Sequence, residues 1–276
     1  MHMQRKWSSG VLFSLLFTLV LAACSSGGGD SDSAAPVVPA GTAEGLWTGT
    51  LTQPPPLNGQ RTVKGAVLDD GTYWFLYSTV ADPALVAGAL QGDSSTQNGT
   101  FASSNGLDFN NELLTIIDPV TLTAPYVMQQ NLSGTVTYPG GVGTFTSTFD
   151  PEYNVVPVFA NVAGTYEGSV FGFAHTITVD PSGDITVTTT VGPQSSPSGI
   201  ELGCDFNGSL STRSQGNVYN ISFTPSNACT IATLLGRTFT GVAFFDAAAT
   251  KIYVLALHRR VSPFAPYVFP FTGTKP

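Results

Sequence analysis

The chain has 276 residues and a formal net charge of −8, and only 10% of its residues are charged. This acidic balance disfavours nucleic acid and anionic lipid surfaces as partners, because both attract basic proteins. The length permits one large domain or two small ones.

The first 23 residues predict a signal peptide. Arg5 and Lys6 form a basic start, and residues 11–21 are an apolar run interrupted only by two hydroxyl side chains. That run is shorter than the roughly 20 apolar residues that a comfortable membrane span needs. Small residues follow it, as at a cleavage site. The segment therefore predicts export.

The apolar run ends in Leu-Ala-Ala-Cys, with Cys24 in the last position. This segment resembles the lipobox of bacterial lipoproteins. The resemblance implies cleavage before Cys24, which would then carry a diacylglycerol and a further acyl chain such as palmitate. Several acyl chains would anchor the protein stably, since one chain holds only marginally. The alternative is a plain secretory signal with a coincidental cysteine.

The residues after the cysteine predict location and a tether. In Gram-negative lipoproteins an Asp directly after the cysteine resembles an inner-membrane retention signal, whereas this chain has Ser25. The resemblance therefore implies the outer membrane, with periplasmic and surface-exposed orientations both open. Residues 24–43 are rich in Ser, Gly, Asp and Pro, which bury too little apolar area to order themselves. We expect a lipidated cysteine followed by a flexible tether.

Strand signals dominate from residue 45 onward. Short runs of β-branched and aromatic residues, many of them alternating with polar ones, are separated by Gly, Pro, Asn and Asp. Residues 82–90 leave room for at most a short helical turn. Prolines in the aromatic tail at 261–271 predict that it wraps across a barrel end or a domain interface. The predicted strands are 46–53, 61–68, 72–78, 131–138, 144–149, 164–171, 175–180, 185–191, 218–224, 238–245 and 251–258.

The two halves of this β-rich body resemble one another in three short segments that occur in the same order. We therefore predict an all-β fold of two tandem small antiparallel β-barrels, 44–155 and 156–276, because closure removes exposed edge strands. A single β-sandwich across both halves is the alternative. The matched pairs are 43–50 with 162–169, 106–110 with 203–207, and 132–136 with 239–243.

The first matched segment contains Gly45-Leu46-Trp47. It resembles the first strand of lipocalins and avidins, in which a Trp plugs one end of the barrel. It also resembles a group of Gram-negative lipoproteins with a G-x-W-x-G start and a later G-C-x-F-x-G segment, here 203–208. The first resemblance implies a lipocalin-like barrel, and the second implies no particular reaction.

The sequence indicates no catalytic residue, no metal site and no cofactor. It has no G-x-S-x-G nucleophile motif, and His175 and His258 have no neighbour at metal-ligand spacing. Asp108 and Asp205 recur in matched segments, and we interpret them as structural acids beside a buried Phe. Cys204 and Cys229 remain as an even pair in an oxidising compartment. We expect a disulfide between them.

Three residues are candidates for surface contacts. Trp74 lies on the opposite strand face from its aromatic neighbours, so it is either exposed or in contact with the neighbouring domain. Arg259 and Arg260 form a basic cluster with His258 at the end of a predicted strand, which would suit an acidic partner.

Three functions remain, ranked as follows. The first is a non-enzymatic binding or envelope-structural lipoprotein, anchored to the membrane through Cys24 and contacting an envelope protein. The second is a carrier that holds a small apolar ligand inside a barrel. The third, a glycan hydrolase, would need two carboxylates facing one cleft, which the sequence does not indicate.

Overall fold

The computed structural model describes residues 41–112, 116–170, 173–189, 204–226, 229, 234–259 and 266–276. The predicted signal peptide, the predicted lipidation site Cys24 and the candidate contact residue Arg260 lie outside the described residues. Within the described part, no helix is long and apolar enough to cross a bilayer.

The first half of the chain forms a closed antiparallel barrel. Its sheet order is β4-β3-β2-β1-β9-β8-β7-β6, and β4 also pairs with β6, which closes a ring of eight strands. The short β5 extends β6 as a hairpin outside the ring. The strands are β1 (Gly45–Thr52), β2 (Gln60–Val67), β3 (Thr72–Ser78), β4 (Val86–Asp93), β5 (Ser95–Gln97), β6 (Thr100–Asn110), β7 (Ile116–Val127), β8 (Asn131–Tyr138) and β9 (Gly141–Asp150).

A short connector leads to a second closed barrel. The connector contains a 3-10 turn (Pro151–Asn154) and one helical turn, α1 (Phe159–Val162). The second ring is simple, with each strand pairing with the next and β17 closing onto β10. Its strands are β10 (Gly164–Val170), β11 (Phe173–Val179), β12 (Asp184–Thr189), β13 (Phe206–Thr212), β14 (Val218–Pro225), β15 (Phe239–Asp246), β16 (Lys251–His258) and β17 (Tyr267–Thr274).

Two antiparallel barrels are therefore confirmed, and the single sandwich is set aside because each ring closes on itself. Alternation explains the agreement. In β11 and β12 the residues Ile177, Val179, Ile185 and Val187 point into the core while the threonines between them face outward. Closure leaves no long edge strand in either ring, which protects such a Thr-rich surface from edge-to-edge association.

Each barrel begins with the same local arrangement. The side chains of Trp47 and Tyr166 each donate a hydrogen bond to the backbone carbonyl four residues earlier, at 3.0 and 2.8 Å. Two residues later, Gly49 and Gly168 approach the last strand of their barrel so closely that a Cβ would lie 1.9 and 2.0 Å from a carbonyl oxygen. The first of the three matched segments is thus a structural repeat.

The other two matches do not fall on equivalent strands. Segment 106–110 lies in β6, the fifth strand of its ring, whereas 203–207 leads into β13, the fourth strand of the other. Segment 132–136 lies in the seventh strand and 239–243 in the sixth. Those two resemblances are therefore between short segments of similar composition and are not a residue-by-residue duplication.

Residues 82–85 form a hydrogen-bonded turn, in which the Leu85 N–H donates to the Asp82 carbonyl, and strand β4 begins at Val86. The expectation about the tail is wrong. The tail does not wrap across a barrel end from 267 onward. It forms β17, which pairs with β16 along its length and with β10 from Phe271. Pro270 lies just before that second pairing begins, so its missing N–H removes no bond from the described ladder with β10.

Side chains fill the barrel interiors. In the second barrel, neighbouring rings of a phenylalanine cluster have centroids 5.0–5.8 Å apart. In the first, a void of about 20 Å³ remains beneath Leu51 and Phe75, which is room for about one water. The phenylalanines of the cluster are Phe206, Phe223, Phe239 and Phe269.

Candidate functional site

The two barrels are packed against each other along one face of each ring. The outward side chains of β1–β4 in the first barrel meet those of β14–β17 in the second. Residues 39–276 form one compact unit. The apolar contact across this interface is formed by Leu46, Ala66, Leu68, Trp74, Phe149, Tyr153, Val218, Val242, Phe244 and Tyr253.

Lys64 links the two barrels through ion pairs. Its Nζ lies 2.6 Å from Oδ2 of Asp246 in the second barrel and 3.2 Å from Oδ2 of Asp150 in the first. Burial on its own lowers the pKa of Lys64. The hydrogen bond from its ammonium group to Asp246 and the neighbouring carboxylates raise this pKa by more than burial lowers it, so the net shift is upward. Lys64 is therefore a fixed, neutralised cation.

At another point of the interface, Arg213 in the second barrel pairs with Asp69 and Asp70 in the β2–β3 turn. Arg259, which the sequence singled out, makes a separate contact between the barrels, donating from Nη2 to Oε1 of Gln91 at 3.0 Å. These contacts hold the barrels in one relative position.

Beside Lys64 the interface opens into a groove of about 230 Å³, which we call the inter-barrel groove. One wall is apolar and includes Leu76, Leu85 and Val86. Leu85 is 40% exposed, so the wall is accessible to a binding partner. The groove is lined by Thr48, Thr62, Val63, Lys64, Leu76, Tyr77, Ser78, Pro83, Ala84, Leu85, Val86, Lys251, Tyr253 and Thr272.

The opposite wall carries two polar groups. Lys251 lies with Nζ 5.7 Å from the centre of the Tyr253 ring, and within the described residues it makes no ion pair. Thr272 is only 6% exposed, and its Oγ1 has no hydrogen-bond partner among the described residues. Lys251 and the Thr272 hydroxyl could bind a carboxylate, and the apolar wall could pack against an aliphatic chain attached to it. The groove therefore suits a ligand group that combines the two.

The residues singled out by sequence are not brought together in this groove. Trp74 is half-buried between the barrels. Of the two alternatives for this side chain, exposure or contact with the neighbouring domain, the structure shows the contact. Cys204 and Cys229 form the expected disulfide in the second barrel.

Sequence reasoning missed Lys251 and Thr272 altogether. The alternation of side chains along β16 and β17 could have indicated only that these two residues face outward. Their proximity to Lys64 and Leu85 depends on how the barrels pack.

The remaining candidates have local roles. Asp205 accepts a hydrogen bond from the backbone N–H of Thr189 at 3.1 Å, as a structural acid would. His175 is buried beside Phe269, and burial lowers the pKa of its imidazole. Within the described ranges, no group of three or more His, Cys, Asp or Glu side chains could hold a metal ion. Asp108 is buried at one end of the first barrel, apart from the groove lining.

No protein-family model and no curated protein sequence matches the chain. Among solved structures it is similar to transferrin binding protein B from Haemophilus parasuis Hp5, described as a vaccine antigen. The two are 9% identical with a TM-score of 0.30, and the match covers 84% of this chain and 64% of the other. The chain thus spans less than two thirds of that protein. At this TM-score the likeness carries no functional conclusion.

Proposed function

We propose that this chain is a lipid-anchored binding protein of the outer membrane, without catalytic activity, that contacts an envelope protein through the inter-barrel groove. The anchor is supported by the sequence leading to Cys24 and by the tether-like composition that follows it. The groove carries the binding part of the proposal. Among the described residues, it combines an accessible apolar wall with a cation that makes no ion pair and a hydroxyl that makes no hydrogen bond.

The chemistry of the groove favours a particular kind of partner. Lys251 would attract a carboxylate, since it makes no ion pair within the described residues. Its cross-strand neighbour Asp246 is engaged by Lys64 at 2.6 Å. Leu76, Leu85 and Val86 would pack against aliphatic carbons. An exposed protein segment with an acidic side chain beside an aliphatic one meets both requirements.

The filled interiors weigh against the carrier hypothesis. A carrier of a drug-sized apolar ligand needs a chamber of several hundred Å³, whereas the first barrel has a void of about 20 Å³ beneath Leu51 and a pocket of about 140 Å³ at one end. The groove also gives no support to a glycan hydrolase, since its described lining contains no Asp or Glu. The groove therefore favours binding of a protein partner on the outer surface.

Site-specific photo-crosslinking tests the binding proposal in cells that express the full chain. A photoreactive amino acid at Leu85 should give an adduct of one discrete mass, because this side chain lies in the groove wall. The same amino acid at Val142, which is 57% exposed and outside the groove, is the matched control and should give none. No adduct at position 85, or the same adducts at both positions, would contradict the proposal.

The anchor has a separate test. An alkyne-bearing palmitate fed to the cells should label the wild-type chain, and Cys24→Ser should abolish both the label and recovery in the membrane fraction, whereas Ser25→Ala should retain both. Labelling of the Cys24→Ser chain would show that the anchor is wrongly assigned. Because crosslinking and labelling are read out independently, each part can fail alone.

A further inference from the structure

One end of the first barrel contains a second pocket, of about 140 Å³. Asp108, from β6, lies at its base and is only 1% exposed. Asp118, directly opposite in the register of β7, lies on the same side of the sheet. We call this the Asp108 pocket. It is lined by Gln53, Pro54, Pro55, Pro56, Leu57, Asp108, Asn110, Asp118, Tyr138 and Gly140.

Neutral donors hold the Asp108 carboxylate in place. The Tyr77 hydroxyl donates to Oδ1 at 2.6 Å, and Nε2 of Gln53 donates to Oδ2 at 2.9 Å. The same Nε2 of Gln53 also donates to the Tyr138 hydroxyl at 3.3 Å. Arg61, which lies over the ring of Tyr77, is engaged with Glu112 at 2.6 Å. The pocket therefore has a fixed carboxylate without a described positive partner.

Gln53 provides an independent sign that the pocket takes a donor. It is 3% exposed, its Nε2 is used on Asp108 and Tyr138, and its Oε1 has no hydrogen-bond partner among the described residues. A buried acceptor without a donor costs free energy unless something satisfies it. The adjoining wall cannot do so, because Pro54, Pro55 and Pro56 have no N–H.

The pocket thus offers two carboxylates and an amide oxygen as acceptors, with a wall of proline methylenes beside them. A carboxylate or phosphate ligand would be repelled. A compact ammonium group has three donors, which matches three acceptors, and a short methylene stem would contact the prolines. A volume of about 140 Å³ accommodates such a stem.

We propose that the Asp108 pocket binds a primary alkylammonium group, as carried by a small free amine or by a lysine side chain of a partner. The bound cation replaces the proton that Asp108 holds in the empty pocket. Burial first, and then the charge of Asp118, raise the pKa of this carboxyl group to about 7, while hydrogen bonds from Tyr77, Tyr138 and Gln53 act in the opposite direction. Binding should therefore release a proton below neutral pH.

Calorimetric titration of the detergent-solubilised full chain with n-butylammonium tests this. We expect one saturable site, and an affinity that increases at least tenfold from about pH 5.5 to about pH 7.5. Buffers of different ionisation enthalpy should show proton release at the lower pH. The uncharged isostere n-butanol should not bind. Nα-acetyl-lysine methylamide distinguishes the sources, since tighter binding than n-butylammonium indicates a partner's lysine and weaker binding a free amine.

Variants assign the binding to the pocket. Asp108→Asn should weaken n-butylammonium binding at least tenfold, whereas Glu167→Gln, which removes an exposed carboxylate from the second barrel, should leave it unchanged. If Asp108→Asn does not fold by circular dichroism, Asp118→Asn at the less buried position replaces it and should also weaken binding. No saturable binding, equal binding of n-butanol, or equal affinities in the pocket and control variants would overturn the proposal.

Discussion

Asp108 should make the folded protein more stable in mild acid than at alkaline pH. Its carboxyl group has a pKa of about 7 in the folded chain, chiefly because it is buried, against an ordinary value of 3.8. The folded state therefore holds a proton that the unfolded state has already lost. This contribution is complete below about pH 4 and disappears as the pH rises through about 7.

The size of the effect follows from the same two values. Each pKa unit corresponds to about 1.4 kcal/mol, so the full contribution of Asp108 is about 4 kcal/mol. Between about pH 5 and pH 8 the loss is about 3 kcal/mol, because the unfolded carboxyl is already ionised at pH 5. Asp70 and Asp246 have lowered pKa values and therefore act in the opposite direction, but only under stronger acid.

The assay compares the wild type with Asp108→Asn, which is neutral at every pH and can still accept the bond from Tyr77. Urea unfolding at about pH 5, 6, 7 and 8 gives the free energy of unfolding of each chain. The wild type should lose about 3 kcal/mol relative to the variant across this range. Subtracting the free energy of unfolding of Asp108→Asn from that of the wild type at each pH cancels the contributions of titrating groups that the two proteins share. Parallel curves would show that Asp108 is ionised in the folded chain and would refute the reasoning.

Three further changes have expected results, each measured by denaturant unfolding. Replacing both Cys204 and Cys229 by Ala should lower the free energy of unfolding by roughly 3 kcal/mol for a loop of this length, and reductant should have no effect on that variant. Gly168→Ala should cost more than about 2 kcal/mol, because its Cβ would lie 2.0 Å from a carbonyl oxygen, whereas Gly140→Ala, with no atom within 4 Å, should cost under about 0.5 kcal/mol. Tyr166→Phe should cost about 1 kcal/mol by removing one buried hydrogen bond. A smaller effect at Gly168 than at Gly140 would contradict the close approach of the strands.

Alternation made most of both barrels predictable. The strand expected at 61–68 is found at Gln60–Val67, and those expected at 72–78 and 251–258 are found at the same residues. Each begins with alternating burial, which has the period of two of a strand with one buried face, although β3 and β16 become buried on both faces further along.

Strand β4 was missed for the converse reason. Val86 to Gln91 is buried on both faces, one by the barrel interior and the other by the packing of the second barrel. A continuous apolar run of this length does not distinguish a strand from a helix. Strand β17 was missed because the prolines of the tail were taken to prevent a strand. Pro270 lies within the ladder between β16 and β17 but before the start of the ladder between β10 and β17, so its missing N–H affects only one of the two ladders.

The two pockets could not be read from the sequence because each assembles residues from distant strands. Gln53 and Asp108 meet only when the first ring closes. Lys251 and Leu85 meet only when the two barrels pack. The sequence analysis identified Asp108 through a match to Asp205. That match does not hold in the structure, because Asp108 is buried within β6 whereas Asp205 precedes β13 and caps the backbone N–H of Thr189.

The central claim is that a partner binds in the inter-barrel groove through Lys251. The most direct measurement is the yield of the photo-crosslinked adduct from Leu85 in a Lys251→Glu chain, with Lys275→Glu as a control outside the groove. Reversing a charge that faces a partner's carboxylate should lower the adduct yield about tenfold or more, while the control should retain it. Equal yields in the wild type and both variants would show that Lys251 does not contact the partner and would contradict the account.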